Sequence, residues 1–183
     1  AVQILWITLV TEGTVTVNLI REPAEGDEMR LEPISQDEPL LTRVLLSRMA
    51  FMTPAIAIST LGWFIYRLAG GAPFQEAQTE TFTVLAVCQW FNVLNCRSEL
   101  RSAFDRSLFK NPYLIGGLIL GNVLQLAVVF LPPLNQVFHT VPISLEHALA
   151  IGLVASLVLW VEEARKLMVR TRARRLQSVL AAG

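Results

Sequence analysis

YLIGGLILGNVLQLAVVFL, residues 113–131, carries no charged side chain and is bounded by Lys110-Asn111-Pro112 before it and Pro132-Pro133 after it. At 1.5 Å of rise per residue this stretch makes a helix of about 28 Å, close to the roughly 30 Å hydrocarbon core of a bilayer. Proline at both ends marks where such a helix starts and stops. Working outward, four more apolar stretches run over residues 2–20, 44–66, 82–94 and 148–161. The first two of these are long enough to cross a membrane. The other two are short as apolar runs and lengthen to 80–97 and 146–165 when their polar ends are counted. The expected fold is all-α: a polytopic membrane helical bundle of about five transmembrane helices, forming one transmembrane domain over residues 1–183.

Composition agrees. Of 183 residues, 53% are hydrophobic and 16% charged, where a soluble domain carries about 25% charged residues. Mean hydropathy is +0.50. The formal net charge is zero, which argues against nucleic acid as a partner. Cys88 and Cys96 are too few for a disulfide scaffold, and on one helix they sit roughly 12 Å apart, beyond bridging distance.

The charges are segregated. Of the 15 basic residues, four fall in 21–48, four in 97–110 and six in 165–175, whereas the other connections hold Arg67 alone. Cytoplasmic loops are enriched in Lys and Arg. Five spans with the N-terminus outside and the C-terminus in the cytoplasm satisfy every loop. The first stretch lacks the basic n-region and small-residue cleavage site of a signal peptide. Because the chain begins at Ala1 and not at methionine, it is expected to be part of something longer.

Polar groups within the spans are the candidate functional residues. Glu12 sits in mid-span, in Leu9-Val10-Thr11-Glu12-Gly13. An ionisable group at that depth is costly and points to function. Thr8 shares its helix face at a spacing of four. Gly13 and the β-branched Thr14, Val15 and Thr16 weaken the helix, and a loosened turn offers carbonyl oxygens as ligands. An ion site is favoured over a protonated glutamate bonded to a neighbouring helix. In the third span Gln89, Asn92 and Asn95 recur every three residues as one polar stripe. Such amides act as interhelical hydrogen-bonding glue or as oxygen ligands for hard cations, with glue the commoner use. Asn122 and Gln125 read as glue, and Trp63, Tyr66, Trp90 and Trp160 as interfacial anchors or packing residues. His139 and His147 show no metal-ligand spacing and receive no role. Glu162-Glu163 followed by Arg165-Lys166 reads as a solvated helix end with i,i+3 pairs. The sequence contains no phosphate loop, nucleophile elbow, zinc-type histidine pair or Cys-x-x-Cys.

Leu5-Trp6-Ile7-Thr8-Leu9-Val10-Thr11-Glu12-Gly13 resembles the sixth membrane helix of P-type cation-transporting ATPases of the calcium-pump class, whose pattern is Leu-Trp-x-Asn-Leu-Val-Thr-Asp-Gly. The likeness continues through Asp27-Glu28-Met29, Pro33 and Glu38-Pro39-Leu40, and through the Gln89, Asn92, Asn95 stripe of an eighth helix. It covers essentially the whole chain as helices six to ten. The resemblance implies that Thr8, Thr11 and Glu12 occupy sixth-helix cation-ligand positions and that Gln89 occupies the eighth-helix one. Thr8 replaces the family's asparagine, Glu12 its aspartate, and Gln89 the calcium-pump glutamate. With the carboxylates so changed, the transported cation is left open among calcium, sodium, manganese and protons. The resemblance further implies placement in the plasma (inner) membrane, a lipid bilayer around the helices, and the pump's N-terminal domains as partners. ATP and Mg2+ are the full-length family's cofactors, with none expected in this chain. The chain also lacks the aspartyl-phosphorylation motif and a nucleotide-binding domain, so it is not expected to hydrolyse ATP alone. The competing expectation is a stand-alone membrane module that assembles with or regulates another transporter.

Overall fold

A computed structural model describes residues 2–21, 42–97, 103 and 110–182, without the side chains of Thr11, Glu12, Arg43, Val44 and residues 172–182. The loop motif over residues 22–41 and most of the 97–110 connection lie outside the described residues. Within them the fold is helical and has no strand. The chain opens with α1 (Val2–Ile7), a π-helical turn (Thr8–Glu12) and a 3-10 helix (Thr16–Arg21). It continues with α2 (Arg43–Ala69), α3 (Phe74–Cys96), α4 (Pro112–Phe130), α5 (Pro132–Phe138), α6 (Leu145–Ala155) and α7 (Leu157–Ala182).

Local chemistry sets the ends. The Thr42 hydroxyl accepts from the Leu45 amide at 3.2 Å and caps α2. Asn111 caps α4 by accepting from the Leu114 amide at 3.1 Å, with Pro112 in the first turn, where its missing N–H costs nothing. Ser144 caps α6, and His139 ends α5 in the left-handed region at φ 50°.

Three helices are long and apolar enough to cross a membrane: Leu45–Ala69, Pro112–Phe130 and Leu145–Thr171, the last running through α6 and α7. Their outer faces expose Ile58, Leu61 and Ile65, Ile119, Val123 and Leu126, and Leu149 and Leu153. A bilayer solvates such faces and water does not.

Of the five expected spans, the remaining two take other forms. The first stretch is interrupted by the π and 3-10 turns and is not one continuous α-helix. The third, α3, has the length to span but is polar, with Gln75, Glu76, Gln78, Thr79, Glu80, Thr81 and Thr83 in its first half. It lies at the centre of the bundle, against α2, α6 and α7, and touches α4 and the π turn. A helix enclosed by other helices need not be apolar if its polar groups are satisfied. Thr79, Thr81 and Thr83 donate back to the carbonyls of Gln75, Ala77 and Thr79 at 2.9, 2.6 and 3.0 Å.

Two buried charge clusters, one on α3 and one between α2 and α7, correct the sequence reading. At one end Glu80, 3% exposed, meets Arg67 Nε of α2 at 2.6 Å and His147 Nδ1 of α6 at 2.9 Å. It also accepts from the Trp63 indole N–H at 3.1 Å. His147, given no role above, therefore joins α6 to α3. At the other end Glu162, expected in a solvated helix end, is fully buried, and Arg165 and Lys166 are nearly so. Arg165 donates to both Glu162 oxygens at 2.7 Å, and Arg48 Nε of α2 lies 3.7 Å from the same carboxylate. The expected i,i+3 pair exists, but it is buried between helices.

Candidate functional site: a polar cavity beside a π turn

The sixth-helix motif does not continue as α-helix. From Thr8 to Glu12 the backbone is π-helical, and from Thr16 to Arg21 it is 3-10. The loosening expected around residues 13–16 is present, but it begins one turn earlier, within the motif. π turns widen a helix by one residue and occur frequently at functional sites. Thr14 donates its hydroxyl to the Val10 carbonyl, and the Asn18 amide donates to the Thr14 carbonyl at 2.6 Å. Side-chain bonds of this i−4 kind compete with the backbone ladder and bend helices, in keeping with the distortion here.

Helix α4 braces this segment from behind. The Asn111 amide donates to the Asn18 carbonyl at 3.2 Å, and the Arg21 guanidinium lies 4.0 Å over the Tyr113 ring. Gly117 passes so close that a Cβ there would sit 1.9 Å from the Thr14 carbonyl oxygen. Only glycine permits that approach.

On the other side the segment faces α3 across a cavity of about 240 Å³. Thr8 and Thr16 line it from the first segment, and Gln89 and Asn92 line it from α3. Ile7 and Val93 contribute apolar wall, and Cys96 lies at the end of the α3 side. Two of the four sequence-predicted site residues, Thr8 and Gln89, therefore share one cavity. Thr8 spends its hydroxyl proton on the Ile4 carbonyl at 3.2 Å, which leaves the oxygen lone pairs available as an acceptor. The backbone of Thr11 and Glu12 lies in the π turn, and their side chains are outside the described residues. Among the described residues no three His, Cys, Asp or Glu side chains group to hold a metal. The donors that do meet are hydroxyl and amide oxygens, a neutral set suited to hard cations and in need of a nearby carboxylate for charge.

The polar stripe divides. Gln89 and Asn92 are half-buried on the cavity. Asn95 is fully buried and donates to the Val158 carbonyl of α7 at 3.2 Å, so only the last of the three is glue. Asn92 and Thr16 were not singled out as site residues, although the three-residue spacing places Asn92 beside Gln89. Gln125 donates to Thr83 of α3 at 3.4 Å, as interhelical glue should. Asn122 instead bonds its own helix at the Leu118 carbonyl, 3.1 Å away, because its face of α4 is exposed.

The described part is a helical bundle with three apolar helices, in which a broken segment faces a central polar helix across a cavity lined by oxygen donors. Residues 1–168 match the family described as "Cation transporting ATPase, C-terminus". The chain belongs to that family. It is 33% identical over 171 residues to a "Probable cation-transporting ATPase F" of Mycobacterium tuberculosis, covering 93% of this chain and 19% of that protein. It is likewise 33% identical over 181 residues to mouse "Calcium-transporting ATPase type 2C member 2", covering 97% of this chain and 19% of the relative. A "Calcium-transporting ATPase" of Bacillus subtilis is 36% identical over 144 residues, covering 78% of this chain and 16% of its own length. The chain thus spans about a fifth of the length of these relatives.

Proposed function

We propose that this chain is the C-terminal membrane domain of an ATP-driven cation pump, over residues 1–183, and that it supplies part of the intramembrane cation site. The observation that carries this reading is the meeting of Thr8 and Gln89, far apart in sequence, in one polar cavity beside a π turn. Thr8, Thr11, Glu12 and Gln89 are the proposed ligands. Glu12 provides the charge and the others provide neutral oxygens. Calcium takes about six to eight oxygens, so further ligands come from membrane helices outside this chain. ATP and Mg2+ act on the pump's other domains, and none of the residues here performs phosphoryl transfer. Calcium, sodium, manganese and protons all remain candidate cargo, and the proposed location is the plasma (inner) membrane.

Gln89→Leu tests the site. The variant keeps the bulk of the side chain and deletes its oxygen. In the full-length pump it is expected to lower apparent cation affinity about tenfold, roughly 1.4 kcal/mol. The measurement is phosphoenzyme formed from ATP against cation concentration. An unshifted curve would remove Gln89 from the site.

The proposed topology is five crossings, with the broken first segment and α3 crossing alongside the three apolar helices. The N-terminus is outside and the C-terminus cytoplasmic, as the basic residues require. After Cys88 and Cys96 are replaced by alanine, Gln136→Cys is expected to react with an impermeant thiol reagent on intact cells. Gln177→Cys is expected to react only after permeabilisation. Labelling of Gln177→Cys from outside would reverse the orientation.

A further inference from the structure

The buried cluster at the far end of α3 is positioned to act on the cavity. Gln89 and Asn92 face the cavity and Asn95 faces α7, all on one three-residue stripe of one helix. From Gln89 to Asn95 is about 9 Å at 1.5 Å per residue, under two turns. Two bonds tie this last stretch to α7. The Asn95 side chain donates to the Val158 carbonyl at 3.2 Å, and Lys166 Nζ donates to the Asn95 carbonyl at 3.3 Å. The Asn95 carbonyl is among the last four of α3, which have no partner within the helix, and a lysine there also meets the negative end of the helix dipole.

Lys166 is 1% exposed. Its position is fixed one residue along from Arg165, which is locked to Glu162, and Glu162 is in turn near Arg48 of α2. Buried ionic groups are weak sources of stability compared with apolar packing. Their directional bonds do fix the register of the helices they join. The Lys166 bond to the Asn95 carbonyl extends this anchorage to α3, the helix that carries the cavity's amide donors.

We propose that Lys166 is a positioning residue for the cation site. Through Asn95 it sets the height and rotation of α3, and with them the reach of Gln89 and Asn92 into the cavity. The C-terminal helix is thereby coupled to cation affinity without touching the ion. This inference rests on the cation-site reading above.

The test uses the full-length pump in native membranes. Lys166→Met keeps the long stem and removes the donor. Asn95→Ala removes the second tie, the side-chain bond to the Val158 carbonyl, while keeping the backbone carbonyl that Lys166 meets, and Lys166→Arg retains a donor. Two reactions are compared per mole of pump: phosphorylation by ATP against cation concentration, and phosphorylation by inorganic phosphate without the cation. Lys166→Met and Asn95→Ala are each expected to lower apparent cation affinity fivefold or more while keeping the inorganic-phosphate level. Lys166→Arg is expected to stay within twofold of the parent. A parent-like cation curve for Lys166→Met and Asn95→Ala would overturn the proposal. So would a parallel loss of both reactions, which would make the cluster structural only. Gln89→Leu is run alongside. If Gln89→Leu is unshifted while Lys166→Met is shifted, the route through α3 is wrong, and if neither is shifted the cation-site reading itself fails.

Discussion

Glu12→Gln is expected to abolish cation-dependent phosphorylation of the proposed full-length pump over the concentration range in which the parent saturates. Glu12 is the sole acidic residue of residues 1–20, and the cavity's described donors, Thr8, Thr16, Gln89 and Asn92, are all neutral. A cation entering the proposed site would lose water, and neutral oxygens alone do not offset the loss of hydration of a charge in a low-dielectric interior. Glutamine keeps the shape and the carbonyl while removing the charge. The expected drop in apparent affinity is at least about 100-fold, roughly 2.8 kcal/mol. Asn122→Ala is the matched comparison. Asn122 is exposed and bonds its own helix at the Leu118 carbonyl, so apparent affinity is expected to stay within a few fold. Phosphoenzyme level at matched expression reads both variants. A parent-like curve for Glu12→Gln would make this carboxylate a packing group.

Gly117→Ala has the largest expected effect on the fold. The added methyl would lie 1.9 Å from the Thr14 carbonyl oxygen and 2.7 Å from the Asn18 side-chain nitrogen. The nearest obstacle is backbone, which cannot rotate away, so α4 must withdraw from the broken segment. That withdrawal also disturbs the Asn111–Asn18 bond and the stacking of Arg21 on Tyr113. Overpacking costs about 1–3 kcal/mol and occasionally more, and a backbone obstacle places this change at the upper end. The neighbouring Gly116→Ala meets nothing within 4 Å, and replacing glycine with alanine in a helix favours the helix by about 1 kcal/mol. Thermal inactivation of the pump in membranes separates the two. Gly116→Ala is expected at or above the parent's midpoint and Gly117→Ala well below it, or absent from the membrane. Equal midpoints would contradict the close approach of α4.

The parts of the fold that depend on local composition were legible in the sequence. The stretch 113–131 became Pro112–Phe130, and 44–66 became part of Arg43–Ala69, because a long and mostly apolar run flanked by prolines or caps has one economical structure in a bilayer. The parts that depend on neighbours were not. The apolar run 82–94 underestimates α3 because its first half is polar, and only the surrounding helices explain how Glu80 can be buried there. Arg67 and His147, which meet that carboxylate, come from two other helices, and no spacing along the chain relates the three. Glu162 and Arg165 show the same limit. Their i,i+3 pairing looks alike on a solvated helix and inside a bundle, and burial by α2 and α3 decides between the two.

The cavity was half visible, since Thr8 and Gln89 line it and the Glu12 side chain lies outside the described residues. Glu12 stood out because a carboxylate in a span is rare, and Gly13 with its β-branched neighbours signalled a weak helix. The π turn itself, one turn earlier, has no such composition signal. Asn92 and Asn95 have the same residue type and the same spacing from their neighbours in the stripe, yet one faces a cavity and the other a carbonyl of α7. That division is set by where the first segment and α7 sit around α3.

Equilibrium binding of the radiolabelled transported cation to the purified full-length pump, with the ion count per pump set by active-site titration, tests the central claim most directly. At the parent's saturating concentration Glu12→Gln is expected to bind at least one fewer ion per pump. Gln89→Leu is expected to reach the parent's count only at about tenfold higher concentration. Full occupancy in both variants at the parent's affinity would place the cation elsewhere and contradict the claim that this cavity is part of its site.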